Sequence, residues 1–231
     1  MFFKQFRTLS LQKNITLILK SRIKNFKSDK VSSVGVIFDY DSYHLRLIAG
    51  LINYKFPDNV NIHEYLGKQY FNTETLTPEQ YTKSKEISFR QLYGGVQDDY
   101  KHIPYFQHTK KFIDNLWSLF TQQGYVETPI FGKEMKSSFF SDINRNKLFN
   151  YLLQNMETER NMLMVQDLVT YLKDKQTKMV LYTYDSLLFD YNTNDGKQII
   201  IDIRNIMQNG GYPVTLSIGS DYHTMKEMDL P

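Results

Sequence analysis

Two short hydrophobic runs, far apart along the chain, each end in an aspartate. The first reads VIFD at 36–39 and the second reads VLYTYD at 180–185. Runs of this length that are rich in β-branched and aromatic residues predict buried β-strands. The stretch between them has mainly helical periodicity, and a single core has to accommodate both kinds of element. The sequence therefore predicts an α+β fold, in which an antiparallel sheet carries Asp39 and Asp185 side by side and a helical subdomain is inserted.

The other patterns predict an ordered series of elements. Thr77-Pro78-Glu79-Gln80 has the form of a capping box with proline at the first helical position, and Gly94-Gly95 ends that helix. Helices are predicted from Asp41 to near Pro57, over 62–71, 77–93 and 103–124, and from about 144 to 174 and 196 to 209. Strands are predicted over 34–38, 179–184, 187–191 and 214–218, with a further hairpin over 124–133. Asp185 then falls at the tip of a hairpin.

Composition limits the classes of protein. With 231 residues, of which 41% are hydrophobic, the chain can bury the core of one large domain or of one domain with a small inserted subdomain. No uninterrupted apolar run reaches the length of about 20 residues that a membrane span requires. The lack of cysteine excludes disulfides and thiolate metal sites. Because the N-terminus lacks the features of a secretory signal, we expect a cytoplasmic protein, in the host cytoplasm if the gene is viral.

Charge is distributed unevenly. The net charge of +3 is too small to indicate a nucleic-acid partner by itself. Lysines are concentrated in residues 4–30, among almost no acids. This polar basic N-terminal segment, 1–33, is either a strip that contacts phosphates or an ordinary solvated surface.

The order of acid, basic helix and acid indicates a particular chemistry. Transfer of a nucleotide to a 3′-hydroxyl builds negative charge on a triphosphate, and two Mg²⁺ ions about 3.5–4 Å apart can neutralise it. Magnesium prefers carboxylate oxygens and retains several waters, so two aspartates from adjacent strands are enough. One face of the helix between them is shared by residues spaced by four: Tyr81, Lys85, Phe89 and Tyr93. A lysine on this face can hold phosphates, so the pattern predicts a nucleotidyl-transfer site.

Several segments, in the same order, resemble motifs of the family A DNA polymerases, the DNA polymerase I family. DYDSYHLR at 39–46 resembles the first catalytic motif, and KEISFRQLYG at 85–94 resembles the fingers helix that grips the incoming nucleotide. QGYVET at 123–128 is similar to a turn that follows this helix, and Asn150 and Gln154 match residues that touch template and primer in the minor groove. Tyr184-Asp185-Ser186 falls where the family has His-Asp-Glu, and 218–223 resembles the C-terminal end of the family. Each motif is short, and their collinear order carries the resemblance.

The resemblance implies a role for each matching residue. Asp39 and Asp185 would be catalytic and would ligate two Mg²⁺ ions, or Mn²⁺, with the backbone carbonyl of Tyr40 as a further ligand. The incoming dNTP would be bound by Lys85, Phe89, Tyr93, His44 and Tyr81, and primer-template DNA by Gly94, Asn150, Gln154 and Tyr184. The implied reaction is template-directed addition of dNTPs to a primer 3′-end. The implied subdomains are a first palm segment at 34–66, fingers at 67–110 and a second palm segment at 111–231.

Four positions depart from the family pattern. Tyr81 replaces an arginine that contacts phosphate, Ser186 replaces a glutamate, and Tyr184 replaces a histidine. His44 replaces the glutamate that packs against the sugar of the incoming nucleotide, which leaves the choice between dNTP and NTP open. No thumb or exonuclease domain is recognisable, so a separate chain that supplies one, a second gene fragment and loss of activity are all compatible with the sequence.

Other interpretations of the same residues stay open. The strand with Asp39 and Asp41 also resembles the opening of haloacid-dehalogenase-type phosphatases, in which the first aspartate is a nucleophile, although that fold requires βαβ alternation and a later acidic pair. A palm that binds nucleic acid without turnover is the non-enzymatic alternative. Phe89 and Tyr93 could also belong to a core, and Gly94 could simply contribute to a helix end.

Overall fold

A computed structural model describes residues 33–221 and 224–229. The basic segment predicted at 1–33, apart from Ser33, and the end of the motif at 218–223 lie outside the described residues. Within them, the helices are α1 Tyr43–Leu51, α2 Ile62–Phe71, α3 Pro78–Gly94, α4 Pro104–Gln123, α5 Arg145–Tyr171 and α6 Gln198–Met207. The strands are β1 Ser33–Tyr40, β2 Tyr125–Glu127, β3 Glu134–Lys136, β4 Lys178–Thr183, β5 Ser186–Asn192, β6 Val214–Gly219 and β7 Lys226–Met228.

The chain divides into two compact units. One comprises Met1–Asp41 and Asn161–Pro231, and the other comprises Ser42–Arg160. Among the described residues, the first unit holds the large sheet and α6, and the second holds α1 to α4 and the β2–β3 hairpin. The division between them falls within α5. The palm and fingers boundaries predicted from the sequence lie at other positions and remain a prediction about functional subdomains.

The first unit is built on a five-stranded sheet in the order β4-β5-β1-β6-β7. Alternation along the central strand β1 buries Val36, Phe38 and Tyr40 on one face. The ring of Phe38 packs edge-on against Phe189 of β5, with 5.8 Å between ring centroids. The hydroxyl of Tyr40 donates a 2.7 Å hydrogen bond to the carbonyl of Met207, which joins the end of β1 to the end of α6. The predicted α+β class with an antiparallel sheet is confirmed.

The direction of the strands corrects one interpretation. Every strand pair in the described part of the chain is antiparallel. A haloacid-dehalogenase-type phosphatase requires parallel strands joined by βαβ crossovers, so that alternative for Asp39 and Asp41 is wrong.

The second unit is mainly helical. The capping box at the start of α3 is formed as predicted, since Thr77 Oγ1 accepts from Gln80 N at 3.2 Å and Gln80 Oε1 accepts from Thr77 N at 2.9 Å. A β-carbon at Gly67 would lie 2.8 Å from Cβ of Ser84, so glycine permits the close approach of α2 and α3. The end of α4, the β2–β3 hairpin and the start of α5 share a core cluster made of Phe120, Val126, Met135, Leu148 and Leu152.

The predicted helices and the predicted strands of the large sheet are present, and their ends differ by a few residues. Helix α1 ends at Leu51 rather than near Pro57. The return strand predicted at 130–133 is wrong, because these residues lie in the turn of the small hairpin and the strand comprises Glu134–Lys136. Strand β7 is not predicted, because its three residues are all exposed and give no hydrophobic signal. None of the helices in the described ranges combines the length and the apolar character needed to cross a membrane.

Candidate active site

The sheet register brings Asp39 and Asp185 to neighbouring positions in the first unit. Asp39 lies opposite Ser186, the first residue of β5. The amide of Tyr40 donates a 2.9 Å hydrogen bond to the carbonyl of Asp185. Both aspartates are exposed and lie at the same end of adjacent strands. The structure thus brings together the two acids that the sequence singles out, and their role as metal ligands remains a prediction.

The carboxyl group of Asp39 lies in a negatively charged environment. Partial burial by the surrounding protein, followed by the charges of Asp185 and Asp41, raises the pKa of Asp39 from 3.8 to about 6. Because the residue keeps exposed surface, solvent screens these charges and reaches the carboxylate. A dication bound at this position would offset the repulsion between the acids.

The donor set for a metal is small. The described residues contain no group of three or more His, Cys, Asp or Glu side chains arranged to hold a metal ion. The candidate ligands are therefore the oxygens of Asp39 and Asp185, with the carbonyl of Tyr40. Carboxylate and carbonyl oxygens from few protein ligands are the donors that suit Mg²⁺, so these residues fit such an ion.

The turn that carries Asp185 is held by a buried amide. Tyr184, in this turn, adopts a left-handed conformation with a φ of 51°, which is strained for an aromatic residue. The side chain of Asn161, fully buried on α5, donates to the carbonyl of Tyr184 at 2.7 Å and to the hydroxyl of Tyr182 at 2.9 Å. The hydroxyl of Ser186 is 2.7 Å from Thr183 Oγ1. Ser186 is thus engaged within the hairpin.

One face of α3 in the second unit presents a lysine and two aromatic rings to solvent. Phe89 is 45% exposed and Tyr93 is 36% exposed, so neither is a core residue. Their rings are nearly parallel, 7° apart, with 6.2 Å between centroids. The ammonium of Lys85 lies 4.7 Å above the ring of Tyr81, whose hydroxyl accepts a 3.1 Å hydrogen bond from the amide of Asn61. Tyr81 therefore places a ring, not a guanidinium, beside Lys85.

His44 lies within the same unit and contacts Tyr93. Its Nδ1 atom is in short hydrogen-bond contact with the hydroxyl of Tyr93. Its Nε2 atom is 3.0 Å from Oε2 of Glu157, although the ring N–H does not point straight at that oxygen. The structure thus places two of the predicted nucleotide-binding residues, His44 and Tyr93, in contact.

The C-terminal end of α3 is tied to the start of α5. The side-chain amide of Asn150 donates to the carbonyl of Tyr93 at 3.1 Å, and its Oδ1 atom is buried without a hydrogen-bond partner among the described residues. Gln154, one turn further along α5, is exposed. Apart from its chain neighbours and the backbone of its own helix, no described atom lies within 4 Å of a β-carbon built at Gly94, whereas Gly95 has a φ of 92°. The space that a side chain at Gly94 would occupy is therefore open.

Three polar residues that contact the candidate residues are not predicted from the sequence. Asn146 donates to the carbonyl of Gly94 at 2.9 Å, and Glu157 and Asn161 make the contacts described above. The sequence does contain a signal for Glu157 and Asn161, because both lie on a buried stripe of α5. This stripe comprises Leu153, Glu157, Asn161, Met164 and Leu168. A polar residue in a buried helical stripe requires a partner, and this rule would have selected both.

The fold is that of a polymerase-like α+β protein. Its structure is similar to the POL domain of Pol1 from M. smegmatis, a family A DNA polymerase domain solved in complex with DNA primer-template and dNTP. The match has a TM-score of 0.72 at 17% sequence identity, and covers 86% of this chain and 41% of the length of that chain. No protein-family model and no curated protein matches the sequence. The resemblance drawn from the motifs is therefore confirmed for the fold, while the residue roles stay predictions.

Proposed function

We propose that this chain is a template-directed DNA polymerase, which adds dNTPs to a primer 3′-end and releases pyrophosphate. The observation that carries the proposal is the juxtaposition of Asp39 and Asp185 at the ends of adjacent strands in a sheet of polymerase-like fold. Partial burial, together with repulsion from Asp185 and Asp41, raises the pKa of Asp39 to about 6, so the folded protein holds this carboxylate at a cost in stability. Sites of this kind are commonly functional.

In the proposed mechanism, Asp39, Asp185 and the Tyr40 carbonyl hold two Mg²⁺ ions, or Mn²⁺. The bound ions would supply Lewis-acid stabilisation of the charge that develops on the attacking and leaving oxygens. Backbone pairing at the strand ends fixes the Cα positions of the two aspartates next to each other. Proximity and charge stabilisation are the main requirements of phosphoryl transfer, and both depend on this preorganisation.

The exposed face of α3 is the proposed nucleotide site. Lys85 would pair with the triphosphate, while Phe89 and Tyr93 would stack on or shape the base and sugar of the incoming dNTP. Tyr81 supports the ammonium of Lys85 by a cation–π contact instead of supplying a second phosphate contact. His44 completes this group beside the sugar.

Primer-template DNA is the proposed second ligand. Asn150 lies on α5 beside the C-terminal end of α3, and it would face the minor groove of the bound duplex. Gln154 and Tyr184 are exposed and available for contact, and the open space at Gly94 permits close approach of the template. A further polypeptide, in the same protein or in a separate chain, is proposed to supply the thumb or exonuclease functions. The proposed place of action is the cytoplasm.

A primer-extension assay with Mg²⁺ or Mn²⁺ tests the proposal. We expect the parent protein to extend a labelled primer, and Asp39→Ala and Asp185→Ala each to abolish extension while binding of primer-template persists. Asp167→Asn is the matched control, because this acid is exposed on α5 and belongs to no proposed site. Extension that persists in both alanine variants would contradict the metal assignment.

A binding protein without turnover is the second candidate. Two observations favour it: Ser186 hydrogen-bonds within its own hairpin where the family has a glutamate, and Tyr81 stands where the family has an arginine. This candidate predicts salt-sensitive binding of primer-template with no extension by the parent under any metal. The extension assay therefore separates the two candidates.

A further inference from the structure

His44 is held at both ring nitrogens by side chains from two other helices. Nδ1 contacts the hydroxyl of Tyr93 on α3, and Nε2 lies 3.0 Å from the carboxylate of Glu157 on α5. All three residues belong to the same compact unit. A ring fixed at two opposite atoms has little freedom to rotate.

Glu157 is the unusual member of this group. It is only 4% exposed, and a buried carboxylate costs several kcal/mol unless a donor or cation answers it. Among the described residues, that partner is His44. Glu159, two positions further on, is also buried, but it accepts from the backbone amides of Ile130 and Phe131 at 3.4 and 3.2 Å and so holds a turn. The two acids share a helix and a degree of burial, and differ in what they contact.

The contact between Glu157 and His44 determines which partner donates in the hydrogen bond between His44 and Tyr93. The negative charge of the carboxylate, 3.0 Å from Nε2, favours a proton on Nε2 over Nδ1, which leaves Nδ1 of the neutral ring as an acceptor. The hydroxyl of Tyr93 then donates to Nδ1, which fixes the far end of the Tyr93 ring. Because this ring is stacked on Phe89, the aromatic face of α3 is fixed as well.

We propose that Glu157, acting through His44, is a positioning residue that determines the sugar specificity of the nucleotide site. This inference rests on the proposed function. Lys85 and Tyr93 are two helical turns apart, about 12 Å along the axis, so a triphosphate at Lys85 directs the nucleoside of the same molecule towards Phe89 and Tyr93. A wall beside the sugar rejects an added 2′-hydroxyl only if its side chains cannot move aside. Glu157 prevents that movement by holding His44.

Competition binding measures the effect directly. A fluorescent dATP analogue is bound to the protein with Mg²⁺ and a primer-template whose primer ends in a dideoxynucleotide and cannot be extended, and is displaced by dATP or by ATP. We expect the parent to prefer dATP, and Glu157→Ala to lower the ratio of the two dissociation constants by about tenfold, within the range for an added hydroxyl at a pocket wall. Glu157→Gln retains most of the preference, because its amide oxygen keeps a negative partial charge beside Nε2. Glu159→Gln is the matched control, which we expect to lower stability without changing the ratio.

A second measurement does not depend on nucleotide binding. Nitrogen-15 NMR of the His44 ring reports which nitrogen carries the proton. We expect the Nε2–H form in the parent and in Glu157→Gln, and an averaged mixture of forms in Glu157→Ala.

The outcomes separate this inference from the proposed function. A parent that extends primers, combined with a ratio unchanged in Glu157→Ala, overturns the sugar-positioning role alone. An equal fall of the ratio in Glu157→Ala and Glu159→Gln also overturns it, because general destabilisation then explains the effect. A parent that binds neither nucleotide overturns both proposals, and an Nδ1–H form in the parent overturns the positioning argument whatever the binding result.

Discussion

At the scale of single residues, the charge of Asp39 affects the folding stability of the metal-free protein. Its folded pKa of about 6 is above its ordinary value of 3.8, so the folded state binds the proton more tightly than the unfolded state. The resulting loss of stability is absent below about pH 4 and fully present above about pH 6. Asp39→Asn should therefore stabilise the metal-free protein at pH 7.5 and leave its stability unchanged at pH 4.

The expected gain is modest, because solvent screens an exposed acid. We expect less than about 1 kcal/mol, which corresponds to about 2–4 °C or less in melting temperature for a chain of this size. Thermal melts of parent and variant in EDTA at the two pH values measure it. Asp167→Asn, an exposed acid on α5, should change neither melt. A gain for Asp39→Asn at pH 4 as large as at pH 7.5 would show that charge repulsion is not its cause.

The contribution of Asn161 to the free energy of unfolding can also be predicted. Asn161→Ala leaves the carbonyl of the strained residue Tyr184 without its 2.7 Å donor. We expect a loss of about 1–3 kcal/mol in the free energy of unfolding, since both hydrogen bonds of a buried amide are lost, together with weaker binding of Mn²⁺ because the turn carrying Asp185 is freed. Urea denaturation and Mn²⁺ titration followed by electron paramagnetic resonance measure the two effects.

A control for Asn161 is available on the same helix. Asn155 donates a 2.7 Å hydrogen bond to the carbonyl of Tyr151 one turn earlier, at an exposed position. Asn155→Ala should change stability by less than about 0.5 kcal/mol and leave Mn²⁺ affinity unchanged. If Asn161→Ala destabilises the protein but binds Mn²⁺ as tightly as the parent, the amide supports the fold and not the site.

At the scale of elements, adjacent glycines at the end of α3 should respond in opposite ways. Gly95 has a φ of 92°, and a β-carbon there would lie 2.7 Å from Nδ2 of Asn146. Gly95→Ala should therefore cost about 1–3 kcal/mol. Gly94 is helical with open space around it, so Gly94→Ala should leave stability nearly unchanged and should reduce primer extension by obstructing the template.

Denaturant melts and extension assays on both glycine variants provide the comparison. Each variant is the control for the other, because the added methyl group is the same and the positions are adjacent. Equal extension by Gly94→Ala and the parent would remove Gly94 from the proposed DNA interface, and an undisturbed Gly95→Ala would show that Asn146 can move aside.

The elements that can be predicted from the sequence are those whose signal lies within a few neighbouring residues. The capping box at Thr77 and the two glycines after Tyr93 mark the two ends of α3. The aspartates at strand ends identify the acidic pair. Each of these patterns depends on chemistry within a few residues. Strand β7 gives no such signal, since pairing with β6 alone defines it. The contacts of Glu157 and Asn161 depend on which distant groups meet a buried helical stripe, and this information resides in the tertiary fold.

At the scale of the whole molecule, cation binding and folding should be linked. A cation that binds only the folded chain stabilises it by an amount that grows with the logarithm of its concentration, about 2.7 kcal/mol at one hundred times the dissociation constant. For a chain of this size we expect Mn²⁺ at such a concentration to raise the melting temperature by about 5–10 °C at pH 7.5. The same dose at pH 5 should raise it far less, because protons compete for Asp39, whose pKa is about 6.

Two sets of variants assign this stabilisation to the acidic pair. Asp39→Asn and Asp185→Asn should each lose most of the shift, whereas Asp167→Asn should keep it. A full shift in both active-site variants would mean that Mn²⁺ binds elsewhere on the chain, and a shift of equal size at pH 5 and pH 7.5 would exclude a ligand that titrates near pH 6. Because melting requires neither primer nor nucleotide, this experiment tests the metal site even if the chain acts only together with further polypeptide.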